Sequence, residues 1–266
     1  QHSASETPDF LRRLLPRARA VTALPLLVRA DSGFDSAAIF VALSAARAAG
    51  PVDWLVKWNP RRFNVAALYQ RLDADPATAW TQPRVGKRET WLVEPHSRKF
   101  AGTTVTMRRV LHLIERTIDR DGQILLLPDI EIEGWLTSLE LPVAQIVALY
   151  QAHGTHEQFH SEFKTDLELE RLPSGKFATN DLVLSLAVLA FNILRAIGQA
   201  TLIDPDDSPH RHPAKRRRLR TVMQEIIGVA ARVIAHARRL TLGLGQRCAA
   251  FSVFERHYQT LLQFSG

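Results

Sequence analysis

The strongest constraint on the fold is a strand–helix–strand pattern near the N-terminus. VTALPLLVRAD, residues 21–31, is a nearly continuous apolar run, which is typical of a strand buried on both faces. The helical pattern SAAIFVALSAARAA follows and stops at Gly50, and VDWLVKW, residues 52–58, predicts the next strand. Two strands joined by one helix form a right-handed crossover in a parallel sheet. The pattern therefore predicts an α/β fold with Asp31 at the carboxyl end of a central strand, the edge where such sheets bind ligands.

The pattern of apolar, charged and turn-forming residues changes twice after this unit. Strand-like segments separated by Gly, Pro and charged residues predict an antiparallel, β-rich insertion at 60–140. From Leu141 onward the pattern is helical, with helices expected near 142–169, 177–200, 220–240 and 249–263. We therefore expect four parts: a first core segment at 1–59, the insertion at 60–140, a second core segment at 141–200 and a basic helical region at 201–266.

The charge balance points to polyanions. The net charge is +7 and the pI is about 10.1, which favours nucleic acid as the partner and an anionic membrane surface second. Six of the ten residues in RHPAKRRRLR, residues 211–220, are Arg or Lys. The sequence has no apolar run of about 18 residues, so no transmembrane helix is expected, and no secretory signal is visible. The single Cys248 fits a reducing cytoplasm, and the missing initiator Met suggests a fragment or a processed product.

One segment matches a zinc motif. His156-Glu157-Gln158-Phe159-His160 has the form H-E-x-x-H, in which two histidines on one helical face bind zinc. A peptidase of this kind needs a third ligand, and the extended form of the motif requires Gly and His where this chain has Phe163 and Asp166. The zinc peptidase therefore ranks last among the functions considered.

The same segment carries a second pattern. On one continuous helix over 142–169, Tyr150, His153, Glu157 and Lys164 form a polar stripe, because the first, third and fourth are spaced by heptads. A solvated face of a surface helix explains such a stripe equally well. The spacing alone leaves both interpretations open.

The spacing also resembles a family signature. Y-x-x-H-x-x-x-E-x-x-x-x-x-x-K is similar to the Y-(2)-R-(3)-E-(6)-K signature of bacterial insertion-sequence transposases with a DDE active site. LLVRADSGF resembles the segment around the second aspartate in the DDE domain group 1 branch, and the stretch from Gly154 to Leu194 follows that branch closely. The chain departs from the pattern at His153, which replaces the signature arginine, and in lacking the upstream strand with the first aspartate.

The resemblance implies an RNase H-like fold, incomplete at the N-terminus, with a β-rich insertion and a helical C-terminal part. It implies that Asp31 and Glu157 are catalytic and bind two Mg²⁺ (or Mn²⁺) ions, because hard cations prefer oxygen ligands. Contacts to DNA are expected from Tyr150, His153 and Lys164. The basic cluster adds further candidate DNA contacts at Lys215, Arg216, Arg217, Arg218 and Arg220.

The function expected from these features is a bacterial DDE transposase that cleaves DNA and transfers strands, in a truncated copy or fragment. This chain alone would be inactive without the first aspartate. A non-catalytic DNA-binding remnant is the alternative. DNA is the expected partner, a homodimer the expected active form and the bacterial cytoplasm the expected location, with no membrane.

Overall fold

The computed structural model describes residues 5–61, 63–152, 154–200, 217–244 and 251–263, with side chains at all of these except 154–157 and 253. The chain divides into two compact units, residues 1–153 and 154–266. This boundary falls inside the stretch 141–200, which the sequence predicts to be one part of the core.

The first unit is built on a six-stranded mixed sheet in the order β1-β2-β6-β5-β4-β3. Only β1 and β2 run parallel, and the other neighbours pair antiparallel. The strands are β1 Leu26–Ala30, β2 Val52–Lys57, β3 Thr81–Arg84, β4 Lys87–Phe100, β5 Thr103–Ile118 and β6 Ile124–Thr137.

The predicted crossover is confirmed, but the predicted position of its first strand is wrong. The helix α2 (Ala37–Ala48) connects β1 to β2, as the sequence indicates. Within the described residues, however, β1 pairs only with β2 and forms an edge of the sheet rather than its centre. The first residue of the apolar run, Val21, ends the helix α1 (Thr7–Val21), and only five residues of the run form the strand. None of these five is fully buried, as expected at a sheet edge.

Helices cover both faces of this sheet. On one face, α1, α2 and α3 (Val65–Ala74) bury a large core whose members include Phe40, Leu43, Trp54, Val56 and Leu111. On the other face, α4 (Val143–Gln151) inserts Ile146 between side chains of the inner strands. Burial of this apolar area is the main force that holds the helices on the sheet.

The β-rich segment is an extension of the same sheet. Strand β6 pairs with β2 through Leu55 and Thr137, so β3–β6 continue the sheet that β1 and β2 begin. The sequence did not predict α3, which lies inside this segment. Its start follows from Asn64, whose side chain accepts a hydrogen bond from the backbone N–H of Ala67 as an N-cap.

The second unit contains helices and one hairpin. Its elements are α5 Gly154–Ser161, a π-helical turn Glu162–Asp166, α6 Phe177–Ala200, α7 Leu219–Val222, a second π-helical turn Met223–Ile227, β7 Ala231–His236, β8 Arg239–Leu244 and α8 Phe251–Gln263. The predicted helix at 177–200 is confirmed, and α8 lies within the predicted segment 249–263.

Two helix predictions are wrong. The segment 142–169 is not one helix, because α4 ends at Gln151, a turn follows at Ala152, and a π-helical turn begins at Glu162. The segment 220–240 is helical only as far as Ile227, and residues 231–244 form the β7–β8 hairpin. The chain leaves the helix at Gly228, and residues 231–236 then pair with residues 239–244, a contact that the pattern of a single segment does not show.

The helix α6 bears on the expectation that the chain has no membrane segment, and it does not overturn that expectation. It has 24 residues, and its apolar window has a mean hydropathy of 1.8 and is 6% buried. By length and composition it is the one helix among the described residues that could cross a membrane. Ser185 and Asn192 break the continuous apolar run without lowering this average much. Core helices of soluble proteins share this property, so the helix alone is weak evidence.

Candidate active site

Asp31 lies directly after β1 in an exposed turn. Its Oδ1 accepts a hydrogen bond from the backbone N–H of Gly33 at 2.8 Å, which caps the short 3₁₀ turn Ser32–Phe34. The other oxygen has no hydrogen-bond partner within the described residues. A carboxylate held at one oxygen and open at the other suits a hard divalent cation, which binds oxygen ligands.

A buried ion pair fixes the loop that follows Asp31. The side chain of Asp35 is only 2% exposed, and the guanidinium of Arg98 on β4 donates to both of its oxygens at 2.9 and 3.1 Å. The backbone N–H of Asn59, just after β2, donates to the same carboxylate at 3.0 Å. The loop after β1 is thus tied to the loop after β2 and to β4. Local sequence patterns do not indicate this pairing, because Asp35 and Arg98 are 63 positions apart.

Further basic residues surround this pair on β4 and β5. The pKa of His96 is lowered by burial and by the positive charges of Arg98 and Arg109, so its imidazole is neutral at pH 7. Arg109 pairs with Glu94, and its guanidinium lies 5.0 Å from the ring centre of Trp58. Arg98 and Arg109 are each paired with a carboxylate and His96 is neutral, so these residues add no net positive charge beside the loop after Asp31.

The predicted polar stripe does not lie on one helix. Tyr150 belongs to the last turn of α4, where its ring meets Trp135 edge-on at 6.1 Å and Lys57 lies 5.7 Å from its centre. Lys164 is exposed in the π-helical turn. The turn at Ala152 and the wider π-helical winding break the heptad phase that the stripe requires. That prediction is wrong.

The two carboxylates predicted to share metal ions belong to different units. Asp31 is in the first, and Glu157 is in α5 of the second, with its side chain outside the described residues. His153 also lies outside them. The convergence of Asp31 and Glu157 therefore stays a prediction.

The basic cluster divides into members with different surroundings. Arg217 is 1% exposed, and its Nη1 donates to Glu225 at 3.0 Å, so in this conformation its side chain does not reach DNA. This corrects the expectation for Arg217. Lys215 and Arg216 lie outside the described residues.

Arg218 and Arg220 meet the buried carboxylate of Asp166. The guanidinium of Arg218 donates to both oxygens of Asp166, and the backbone N–H of Arg220 donates at 3.1 Å. Burial acts to raise the pKa of Asp166, but the bonds from Arg218 and Arg220 prevail and hold that pKa below its usual value. Both arginine side chains stay half exposed, at 52% and 56%. The two arginines link α7 to the π-helical turn Glu162–Asp166, and part of each side chain stays accessible to solvent.

The described residues contain no cluster of three or more His, Cys, Asp or Glu side chains that would hold a metal ion. His160 is exposed at the end of α5, and the side chains of His156 and Glu157 lie outside the description. The absence of zinc remains a prediction.

The first unit thus combines a mixed α/β sheet with a carboxylate at a strand end that has one oxygen open. The family model "Transposase DDE domain group 1" matches residues 1–265, and the chain belongs to this family. The resemblance seen around Asp31 and Glu157 is thereby confirmed at the level of the family. Transposases act on DNA, and DDE transposases generally use divalent metal ions. A comparison with curated proteins gives no match.

Proposed function

We propose that this chain is the catalytic part of a DDE transposase that cuts the ends of an insertion sequence and joins them to target DNA. The observation that carries the proposal is the placement of Asp31: an exposed carboxylate at the end of β1, in a chain whose family match spans residues 1–265. The proposed core is RNase H-like, with segments 1–59 and 141–200 as its two parts, 60–140 as the insertion and 201–266 as a basic region. A homodimer in the bacterial cytoplasm belongs to the same proposal.

Asp31 and Glu157 would hold the metal ions. Asp31 offers one open oxygen, because Gly33 engages the other. When bound there, two Mg²⁺ or Mn²⁺ ions would activate the attacking oxygen and stabilise the leaving oxygen of an in-line displacement. The rigidity of the Asp35–Arg98 pair keeps the Asp31 turn in one conformation, which limits the reorganisation that the reaction needs.

DNA contact is assigned to side chains that are exposed. Lys164 meets this condition, and Arg218 and Arg220 meet it in part. Tyr150 is half-buried against Trp135, so a contact with DNA would use the edge of its ring. Charged side chains of this kind position the phosphate backbone without reading sequence.

A non-catalytic DNA-binding remnant is the second candidate. Its support is that Asp9 does not fit the role of the family's first catalytic aspartate: Asp9 lies in α1 and pairs with Arg12, whereas that aspartate lies on a strand. A protein that binds DNA and has only two of the three carboxylates would not cleave it.

A nicking assay separates these candidates. Supercoiled plasmid carrying the element ends is incubated with Mg²⁺ and the transposase, or with its Asp31→Asn or Glu157→Gln variant. Asp75→Asn is the matched control, because exposed Asp75 accepts a hydrogen bond from the backbone N–H two residues on, at 2.9 Å, as Asp31 does. Nicking by the wild type and the control, but by neither site variant, supports the proposal. DNA binding without nicking by any of them supports the remnant. Full nicking by Glu157→Gln contradicts the assignment of Glu157.

A further inference from the structure

The β7–β8 hairpin has two faces of opposite character. In its register His236 stands opposite Arg239, Ile234 opposite Thr241, and Arg232 opposite Gly243, so one face is basic. The other face is apolar along its whole length and consists of Ala231, Val233, Ala235, Leu240, Leu242 and Leu244. The residues between the strands, Ala237 and Arg238, have φ of 48° and 63°, which fits a tight two-residue hairpin turn. Arg238 therefore lies in the turn at the tip of the hairpin.

All the formal charge on this hairpin is positive. No Asp or Glu occurs between Glu225 and Glu255. Every residue of both strands is exposed except the last two of β8, which are half-buried. Within the described part of the chain, no hydrogen bond or ion pair involves the side chains of Arg232, Arg238 or Arg239.

This arrangement is unfavourable for an isolated hairpin. A two-stranded ribbon is marginally stable by itself. Arg238 and Arg239 are neighbours at the turn, and like charges so close together repel each other. An anionic partner on the basic face would turn this repulsion into attraction. The positive charge of the hairpin thus favours binding of a polyanion.

We propose that the β7–β8 hairpin is a DNA-contacting element in which Arg232, Arg238 and Arg239 bind backbone phosphates. The inference rests on the proposed function, since that function makes DNA the polyanion that this chain meets. A two-stranded ribbon fits the major groove of B-DNA, which is about 12 Å wide. Each six-residue strand spans about 20 Å. The arginine fork matches phosphate oxygens, and its charge is permanent.

A second copy of the chain fits the basic face less well. A two-fold interface brings identical patches together, so this face would set the arginines of one copy against those of the other. A dimer through the apolar face would leave the arginines free and would not alter the salt dependence of DNA binding. The two partners therefore give different results in one experiment.

The test measures how DNA affinity depends on salt. The triple variant Arg232→Gln/Arg238→Gln/Arg239→Gln is compared with wild type on a duplex of unrelated sequence, in the intact transposase. Arg13→Gln/Arg71→Gln/Arg120→Gln is the matched control, because it removes the same charge from exposed arginines of the first unit. Each lost phosphate contact lowers the slope of log K against log salt by about 0.9, so the hairpin variant should lose up to about 2.7. The control should lose much less, and replacing the three hairpin arginines by lysine should keep most of the slope.

Two results would overturn the inference while leaving the proposed function intact. One is an unchanged slope in a hairpin variant that keeps the wild-type circular dichroism spectrum. The other is an equal loss of slope in the control variant, which would assign the loss to net charge rather than to contacts made by the hairpin. If the wild type binds no DNA, the inference and the proposed function both fail.

Discussion

Replacing Asp35 tests whether a buried ion pair holds the loop that carries Asp31. In Asp35→Ala, the guanidinium of Arg98 loses its carboxylate and the backbone N–H of Asn59 loses its acceptor. Removing one partner of a buried pair costs about 3–5 kcal/mol. Arg98 is 31% exposed and regains some hydration, so we expect the lower end, about 3 kcal/mol. With a urea m-value of about 1–3 kcal/mol/M, the midpoint should fall by about 1 M or more.

The assay is urea unfolding followed by tryptophan fluorescence. All five tryptophans lie in the first unit, so the signal reports on the unit that contains Asp35. Asp129→Ala is the control, because it breaks an ion pair with Arg116 whose aspartate side chain is 59% exposed. Such surface pairs contribute about 1 kcal/mol or less. Asp35→Asn keeps an acceptor for Asn59 but removes the charge, and should fall between the two. A loss in Asp35→Ala no larger than in Asp129→Ala would refute the reasoning.

Two further predictions concern packing and pH. Gly134→Ala places a methyl group 2.8 Å from both the Leu111 and Trp58 side chains. This overpacking should lower the free energy of unfolding by about 1–3 kcal/mol in the same urea assay. Gly175→Ala is the control: its methyl group meets nothing within 4 Å, so the thermal midpoint of the protein should stay nearly unchanged. In the folded protein the pKa of Asp166 lies below the value of about 4 that this carboxyl has in the unfolded chain. The ionised carboxylate therefore stabilises the fold fully above about pH 4, and this stabilisation is lost as the pH falls through the folded-state pKa. The assay is hydrogen exchange at residues 217–227, corrected for intrinsic rates. The protection of these amides should fall as the pH is lowered through this range in wild type but not in Asp166→Asn. Equal losses of protection in both proteins would contradict the role given to Asp166.

Patterns within short stretches of the sequence predict those helices and strands whose structure is decided within the same stretches. The crossover β1–α2–β2 and the helix α6 follow from periodicity and chain punctuation, and the family follows from residues 150–164 and the segment around Asp31. The position of β1 at a sheet edge depends on which strands pair, and this is decided by contacts distant in sequence. Single-sequence patterns carry little information of that kind.

The remaining errors share this physical origin. An Ala-rich segment after Gly228 suggested a helix, yet cross-strand pairing across the Ala237–Arg238 turn gives a hairpin. Arg217 looked like one of several surface cations, but its burial depends on Glu225 and on the packing around it. The Asp35–Arg98 pair was not visible for the same reason.

The most direct test of the central claim is iron-mediated cleavage of the protein backbone. Fe²⁺ replaces the divalent ion in the transposase bound to DNA. Added hydrogen peroxide oxidises it to Fe³⁺ and yields hydroxyl radicals that cut the chain near the site, and added ascorbate reduces the iron again. The proposed function predicts cuts beside both Asp31 and Glu157, which Mg²⁺ suppresses and which Asp31→Asn greatly reduces at both positions. Cuts beside only one of the two residues, or at neither, would contradict a shared metal site and with it the proposed mechanism.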